Sequence, residues 1–205
     1  DEKDLNSLIQ AYLEKAGYKV ISYLNGEDAI KNIDIDAHLW ILDIMLGDDV
    51  NGYDVIKAIR EHDDNVPVIF TSARDQELDK IFGLELGSDD YMTKPYSSKE
   101  LVLRVNKIIK RVYKDNSQVN IINYDDYVIN LDKRTVELNK KNIKLTTLEF
   151  DLLVLLIKNK SKCFSREEIL DKVWGSDYFG TDRVVDDLIR RLRKKLDRLN
   201  VEAVY

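Results

Sequence analysis

Cysteine is almost absent from this chain. Cys163 is the single one in 205 residues, which excludes a disulfide framework and fits a reducing cytosol. Long apolar runs are absent too. The longest uninterrupted one, Leu152 to Ile157, is far shorter than a membrane span and fits a buried helix segment at most. No signal-peptide pattern, internal repeat or low-complexity segment is visible. What is present is ordinary for a globular protein: hydrophobic residues make up 44%, enough for real cores, and the length suggests one large domain or two small ones.

A uniform excess of one charge is also missing. The net charge is −6, but residues 1–113 hold 14 Lys+Arg against 22 Asp+Glu, a net of −8, whereas residues 114–205 hold 18 against 16, a net of +2. The two halves therefore present different surfaces to different partners. Near the C-terminus, Arg190, Arg191, Arg193, Lys194, Lys195 and Arg198 oppose only Asp197.

The first half alternates between two periods. Helical patterns over Leu5–Ala16, Glu27–Ile33, Tyr53–Arg60, Gln76–Leu86 and Lys99–Tyr113 enclose short apolar strands at Lys19–Tyr23, Leu39–Leu42, Pro67–Phe70 and Tyr91–Thr93. That alternation implies an α/β domain, a doubly wound parallel sheet with helices on both faces. Ser97-Ser98-Lys99-Glu100 reads as a capping-box start for the last of these helices. Lys114 to Asn120, "KDNSQVN", is polar and aperiodic and reads as a linker. Asp125 to Thr146 follows, rich in β-branched residues with turn-like "LDKR" and "NKKN", and reads as a small antiparallel sheet. Three helices come next. Thr146–Glu149 and Ser165–Glu168 form capping boxes for two of them, and Thr181 is the expected N-cap of the third, Asp182–Leu199.

"HLWILDIML", His38 to Leu46, ends a buried-strand pattern on an acid, Asp43. A carboxylate at the edge of an apolar core needs a partner or a task. Alone, Asp43 reads as a turn residue or helix cap, and Lys94 as a solvated lysine. In a doubly wound sheet, however, chemistry gathers at the carboxyl ends of the strands. Asp43 ends one strand, Ser72 follows another, Lys94 follows a third with Pro95 behind it, and Asp1 could supply a second acid. Two carboxylates make a hard-oxygen site suited to Mg²⁺. A carboxylate can also become an aspartyl-phosphate, with a lysine and a hydroxyl to bind the new oxygens.

At this point "WILDIML", "PVIFTSA" and "GLELGSDDYMTKPYSSKELVLRV" resemble the receiver domain of two-component response regulators. "TTLEFDLLVLLIKNKSKCFSREEILDKVWG" with "RVVDDLIRRLRKKL" resembles the winged helix-turn-helix effector of the OmpR/PhoB subfamily. The resemblance covers nearly the whole chain. It implies a flavodoxin-like receiver over 1–113, a linker over 114–120 and an α+β winged helix-turn-helix domain over 121–205. It implies that Asp43 accepts phosphate from a sensor histidine kinase. Asp1, Asp43 and the Met45 carbonyl would hold Mg²⁺, Ser72 and Tyr91 would be the switch residues, and Lys94 the phosphate partner. A cytoplasmic transcription regulator that binds promoter DNA follows, with RNA polymerase a further partner and no membrane association.

Three departures accompany the resemblance. The receiver's usual first strand and first acid are not among these residues, so further chain is expected before Asp1. "IMLGDDVNG" carries Gly47 where relatives usually have proline and reaches its glycine, Gly52, one residue later, which adds Asp48 and Asp49 near the pocket. The chain also stops at Tyr205, inside the expected wing hairpin.

Two helix faces remain. Leu101, Val105, Ile108, Ile109 and Val112 should pack on the sheet, while Glu100, Arg104, Lys107 and Arg111 lie on another face, by default a solvated one. The resemblance turns that face into a homodimer interface, with cross-pairs Lys80–Glu100, Asp90–Arg104 and Asp89–Arg111, each an exposed pair worth about 0–1 kcal/mol. In the last helix Val185, Leu188, Ile189, Leu192, Leu196 and Leu199 form an apolar stripe. Arg183, Asp187, Arg190, Arg191 and Lys194 lie opposite, where a recognition helix would read the major groove. "GSDYFG", Gly175 to Gly180, would be the loop before it.

Two other readings stay open. An aspartate-nucleophile phosphohydrolase also uses a strand-end Asp, but it needs a second acid just after the nucleophile, and Ile44 and Met45 stand there. An atypical regulator that binds DNA without phosphorylation draws its support from the altered Gly47–Gly52 loop.

Overall fold

The computed structural model describes residues 2–46, 50–73, 82–113, 120–175, 178 and 182–196. The chain divides into two compact units, Asp1–Lys114 and Asp115–Tyr205. Among the described residues no helix is long and apolar enough to cross a membrane.

The first unit runs α1 (Glu2–Lys15), α2 (Gly26–Lys31), β1 (Trp40–Asp43), α3 (Gly52–His62), β2 (Val68–Ser72), β3 (Asp90–Thr93) and α4 (Ser98–Val112), with a helical stretch at 82–85 before β3. The strands are parallel in the order β1-β2-β3. Every residue of the central strand β2 is buried, which fits its apolar Val68–Phe70 run and leaves the hydroxyls of Thr71 and Ser72 inside at its carboxyl end. The core lies on both faces of the sheet. One cluster joins Ala29, Leu42, Val55, Ile56, Ile59, Phe70 and Tyr91 between the sheet and α2–α3. The other joins Leu13, Ile69, Met92, Leu101, Val105 and Ile108 between the sheet and α1 and α4. Burial of each of the larger aliphatic side chains stabilises by about 1.5–3 kcal/mol.

α3 starts on a complete capping box in which Asn51 and Asp54 serve each other's backbone N–H. Ser97 Oγ accepts from the Glu100 N–H at 3.1 Å and opens α4. Gly52 is needed at its position. Its N–H donates to the Ile44 carbonyl at 3.0 Å, and a Cβ there would collide with the Asp43 carbonyl.

One expected strand is not formed. Lys19–Tyr23 carries a strand pattern, yet among the described residues it has no ladder partner and is not a strand. In the flavodoxin-like order the second strand pairs only with the first, and among the described residues no strand stands ahead of α1. The segment still packs, with Val20 against the α1–α4 cluster and Tyr23 against the other. Residues 76–81 of the expected Gln76–Leu86 helix, together with 114–119 of the linker, lie outside the described residues.

The second unit opens with an antiparallel sheet, β4 (Ile121–Tyr124), β5 (Tyr127–Asn130), β6 (Thr135–Leu138) and β7 (Lys141–Ile143), in chain order. β4 goes beyond the sheet expected from Asp125 onward. It turns into β5 through Asp125 and Asp126, with Asp125 at φ +49. Asn139 and Lys140, at φ +51 and +66, close the β6–β7 hairpin, the backbone a two-residue hairpin of this twist requires. Then come α5 (Thr147–Lys158), α6 (Arg166–Val173) and α7 (Arg183–Lys195), which pack on one another. α6 begins on the expected capping box of Ser165 and Glu168. α7 ends at Lys195 with Leu196 as C-cap, short of the expected Leu199. Leu196 is itself buried, so the chain leaves the helix there while staying on the core. Residues 197–205 and Thr181 lie outside the described residues, and Asp182 occupies the N-cap position without a side-chain cap bond.

Candidate functional site

Sheet register assembles the acid pocket. Asp43 pairs with Thr71, and Ser72 pairs with Thr93, so the carboxyl ends of the three strands finish level. Lys94 follows β3, its N–H donating to the Ser72 carbonyl at 2.7 Å, and the Lys94–Pro95 peptide is cis. Lys94 Nζ donates to Asp43 Oδ2. The Met45 N–H donates to Asp43 Oδ1 at 3.0 Å. Both charged side chains are partly withdrawn from water, 20% exposed for Asp43 and 24% for Lys94, which strengthens the pair relative to an exposed one. Ser72 is fully buried at the end of β2, and Tyr91 is buried in the α3-side core.

Tyr96 was missed by sequence reasoning. It packs on the α1–α4 cluster, on the same face of the sheet as Ile69 and Met92, and its phenol hydrogen-bonds the Thr71 side chain. Burial pushes the phenol above its ordinary value. Thr71 and Lys94 oppose that shift, and Asp43 adds to it. Its one sequence signal was an aromatic hydroxyl two residues after Lys94.

The donor set suits magnesium. The Asp43 carboxylate oxygens and the Met45 backbone carbonyl are hard oxygens of the kind this ion takes while keeping several waters. Asp1, Asp48 and Asp49 lie outside the described residues. Among the described ones no group of three or more His, Cys, Asp or Glu side chains is placed to hold a metal ion.

The charges expected on an exposed coupling face are mostly buried and paired within the chain. Arg104 Nη1 donates to both Asp90 oxygens at 2.9 and 2.8 Å, and Nη2 to Glu100 at 2.8 Å. Arg111 Nη2 donates to Asp89 Oδ1 at 2.7 Å. Asp89 Oδ2 accepts the Val68 N–H at 3.0 Å and lies 3.9 Å from Arg60. The Asp89 side chain is 0% exposed, so the exposed-pair expectation is corrected: these carboxylates open β3 and are roofed by α3 and α4. Burial raises the Asp90 carboxyl against the pull of Arg104. Burial also works against the Arg104 charge, but Asp90 and Glu100 together outweigh it. One guanidinium shared between two carboxylates leaves Asp90 the less compensated partner. Lys80 lies outside the described residues.

On α7, Val184, Val185, Leu188 and Leu192 are buried, while Arg183, Arg190, Arg193 and Lys194 are exposed. Arg191 is half-buried rather than outward. Asp187 Oδ1 accepts from Arg190 Nη2 at 2.9 Å and Nε at 3.3 Å, so the one acid on this basic set orients an arginine. Asp186 is held by Arg166 of α6 at 3.0 Å. Lys195 turns inward onto Glu149 Oε2 at 2.7 Å, the same oxygen that accepts the Thr146 N–H.

Comparison with known proteins agrees along the whole chain. Residues 1–106 match the response regulator receiver domain, and residues 140–204 match the C-terminal domain of transcriptional regulatory proteins. The transcriptional regulatory protein CssR of Bacillus subtilis is 52% identical over 100% of this chain and 92% of its own length. The response regulator SaeR of Staphylococcus aureus is 38% identical over 97% of this chain and 87% of its own. The solved structure of DrrB, an OmpR/PhoB homologue of Thermotoga maritima, aligns over 99% of this chain and 89% of its own with a TM-score of 0.51 and 30% identity. A receiver followed by a DNA-binding effector, similar to these relatives along its length, places the chain in the OmpR/PhoB family of two-component response regulators: it is a DNA-binding transcription regulator, not an enzyme.

Proposed function

We propose that this regulator is switched by phosphorylation of Asp43 by a sensor histidine kinase. The observation that carries the reading is the Lys94 ammonium on the Asp43 carboxylate at the carboxyl edge of the sheet. A carboxylate oxygen of Asp43 forms the new P–O bond as the donor's P–N bond breaks, and the released imidazole keeps that electron pair and takes up a proton. Lys94 stays with the charge, passing from the carboxylate to a phosphoryl oxygen. Asp1, Asp43 and the Met45 carbonyl are the residues that would hold Mg²⁺, which neutralises phosphoryl oxygens when bound. The new group adds about −1.5 to −2 charge, and Ser72 and Tyr91 shift to accommodate it.

The receiver spans 1–113, the linker 114–120 and the winged helix-turn-helix 121–205. Activation exchanges the in-chain pairs of Asp89, Asp90, Glu100, Arg104 and Arg111 for pairs across a homodimer, which Lys80 joins from the facing copy and to which exposed Leu103 on α4 adds apolar area. The paired effectors bind promoter DNA through Arg183, Arg190 and Lys194, with Asp187 and Arg191 positioning the face. Gly175 to Gly180 is the segment that would meet RNA polymerase, and the cytoplasm is the compartment where kinase and DNA meet.

The test is Mg²⁺-dependent labelling of the full chain by a small phosphodonor. Asp43→Asn should abolish it. Unchanged labelling in that variant, located by mass spectrometry, would remove Asp43 from the role.

A further inference from the structure

Thr71 is the cross-strand neighbour of Asp43 in the β1–β2 register. In a parallel pair, neighbours of this kind project from the same face of the sheet. Thr71 Oγ1 is buried and lies 3.5 Å from the Leu42 carbonyl, the peptide that precedes Asp43. Tyr96 reaches the same threonine from the other side, packed on the same face as Ile69 and Met92. Two hydroxyls and a carbonyl therefore form a line from the loop after β3, across β2, to the backbone of β1. Pro95 alone separates Tyr96 from Lys94, and its ring fixes φ near −65°. Holding Tyr96 thus restricts where the Lys94 backbone sits.

We propose that Tyr96 is a positioning residue for the phosphorylation reaction: its hydroxyl, tied to Thr71, anchors the loop that carries Lys94 and so holds the lysine on Asp43. The inference rests on Asp43 as the phosphoacceptor. The role of Tyr96 is to act through Lys94, not on the reacting atoms. Burial pushes the phenol further up from a value already well above neutral, so both hydroxyls keep their protons and can bond each other, while Thr71 Oγ1 also donates to the Leu42 carbonyl. Phenylalanine at 96 keeps the packing and removes only the hydroxyl, which separates anchoring from core filling.

The experiment measures the initial rate of Mg²⁺-dependent labelling by a small phosphodonor in the full chain. It compares parent, Tyr96→Phe, Thr71→Val, the double variant, and Tyr96→Phe in a Lys94→Met background. Tyr96→Phe should label about fivefold more slowly, the rate equivalent of one net hydrogen bond. Thr71→Val should match it, and the double variant should be no slower than either. With Lys94→Met in place, Tyr96→Phe should make no further difference, which a merely structural loss would not reproduce. Equal rates in parent and Tyr96→Phe overturn the inference, as does a loss that persists undiminished without Lys94. Should Thr71→Val fold poorly in thermal unfolding, Tyr96→Phe alone decides. Absence of labelling in the parent removes the phosphoacceptor reading and this one with it, whereas parent labelling with an indifferent Tyr96→Phe removes only this one.

Discussion

Asp89 and Asp90 are adjacent in sequence and opposite in energetic character. Asp89 meets Arg111, Arg60 and the Val68 N–H with no exposure to water. Its replacement by Asn leaves Arg111 a half-buried cation without its carboxylate, and losing one member of a buried pair costs about 3–5 kcal/mol. Urea denaturation should show Asp89→Asn near that cost, with an unchanged m-value. Asp90 is the converse case. Burial raises its carboxyl despite Arg104, so the folded state favours the proton more than the unfolded chain does. The stability it contributes is complete below the ordinary carboxylate value and is lost as pH rises through the raised one. Asp90→Asn removes that loss, and Glu100 still engages Arg104. Across an acid-to-neutral series the variant should therefore gain on the parent as pH rises. A parent that gains on the variant instead would show Arg104 to outweigh burial.

Among the elements, α5 and α7 are joined by a pair that no local pattern announces. Glu149, 1% exposed, receives both the Thr146 N–H and Lys195 Nζ, so the start of one helix holds the end of the other. Lys195→Met keeps the aliphatic stem and deletes the charge. It should cost about 2 kcal/mol, as for a charged hydrogen bond, and Glu149→Gln should relieve part of that. Additive losses in thermal unfolding of the single and double variants would mean the two residues do not act as a pair. The contact spans 46 positions, which is why the sequence showed Lys195 only as one more basic residue. The same limit explains the other misreadings. Helical spacing placed Arg104 and Arg111 on one face of α4, but spacing cannot say that long side chains fold back onto carboxylates at the start of β3. Lys19–Tyr23 has strand composition, and a strand also needs a neighbour. β4 is four residues long and adjoins a polar segment, too brief a pattern to read as a strand on its own. Strand ends were legible, because apolar runs stop sharply there, and those stops were enough to bring Asp43, Ser72 and Lys94 to one edge.

For the molecule as a whole, net charge argues against nucleic acid, and the local field at the contact decides. The acidic excess belongs to residues 1–113, while the acids of α7 are taken up locally, Asp186 by Arg166 and Asp187 by Arg190. What faces outward is Arg183, Arg190, Arg193 and Lys194. Each phosphate they neutralise releases counterions, so affinity should fall with salt at a log–log slope of about −0.9 per contact. Arg190, 63% exposed, has Nε and Nη2 committed to Asp187, one of the two edges a bidentate guanine contact can use. It should therefore hold a phosphate. Arg190→Ala in the phosphorylated full chain should weaken a specific and a scrambled duplex alike and reduce the slope by about one contact. Asp187→Asn, which releases that edge, should raise affinity on both. Two effectors in one dimer should favour half-sites about one helical turn apart. A loss confined to the specific duplex would make Arg190 a base reader that leaves Asp187 on binding. Salt-independent affinity, or no loss on either duplex, would remove the outward face of α7 as the recognition surface.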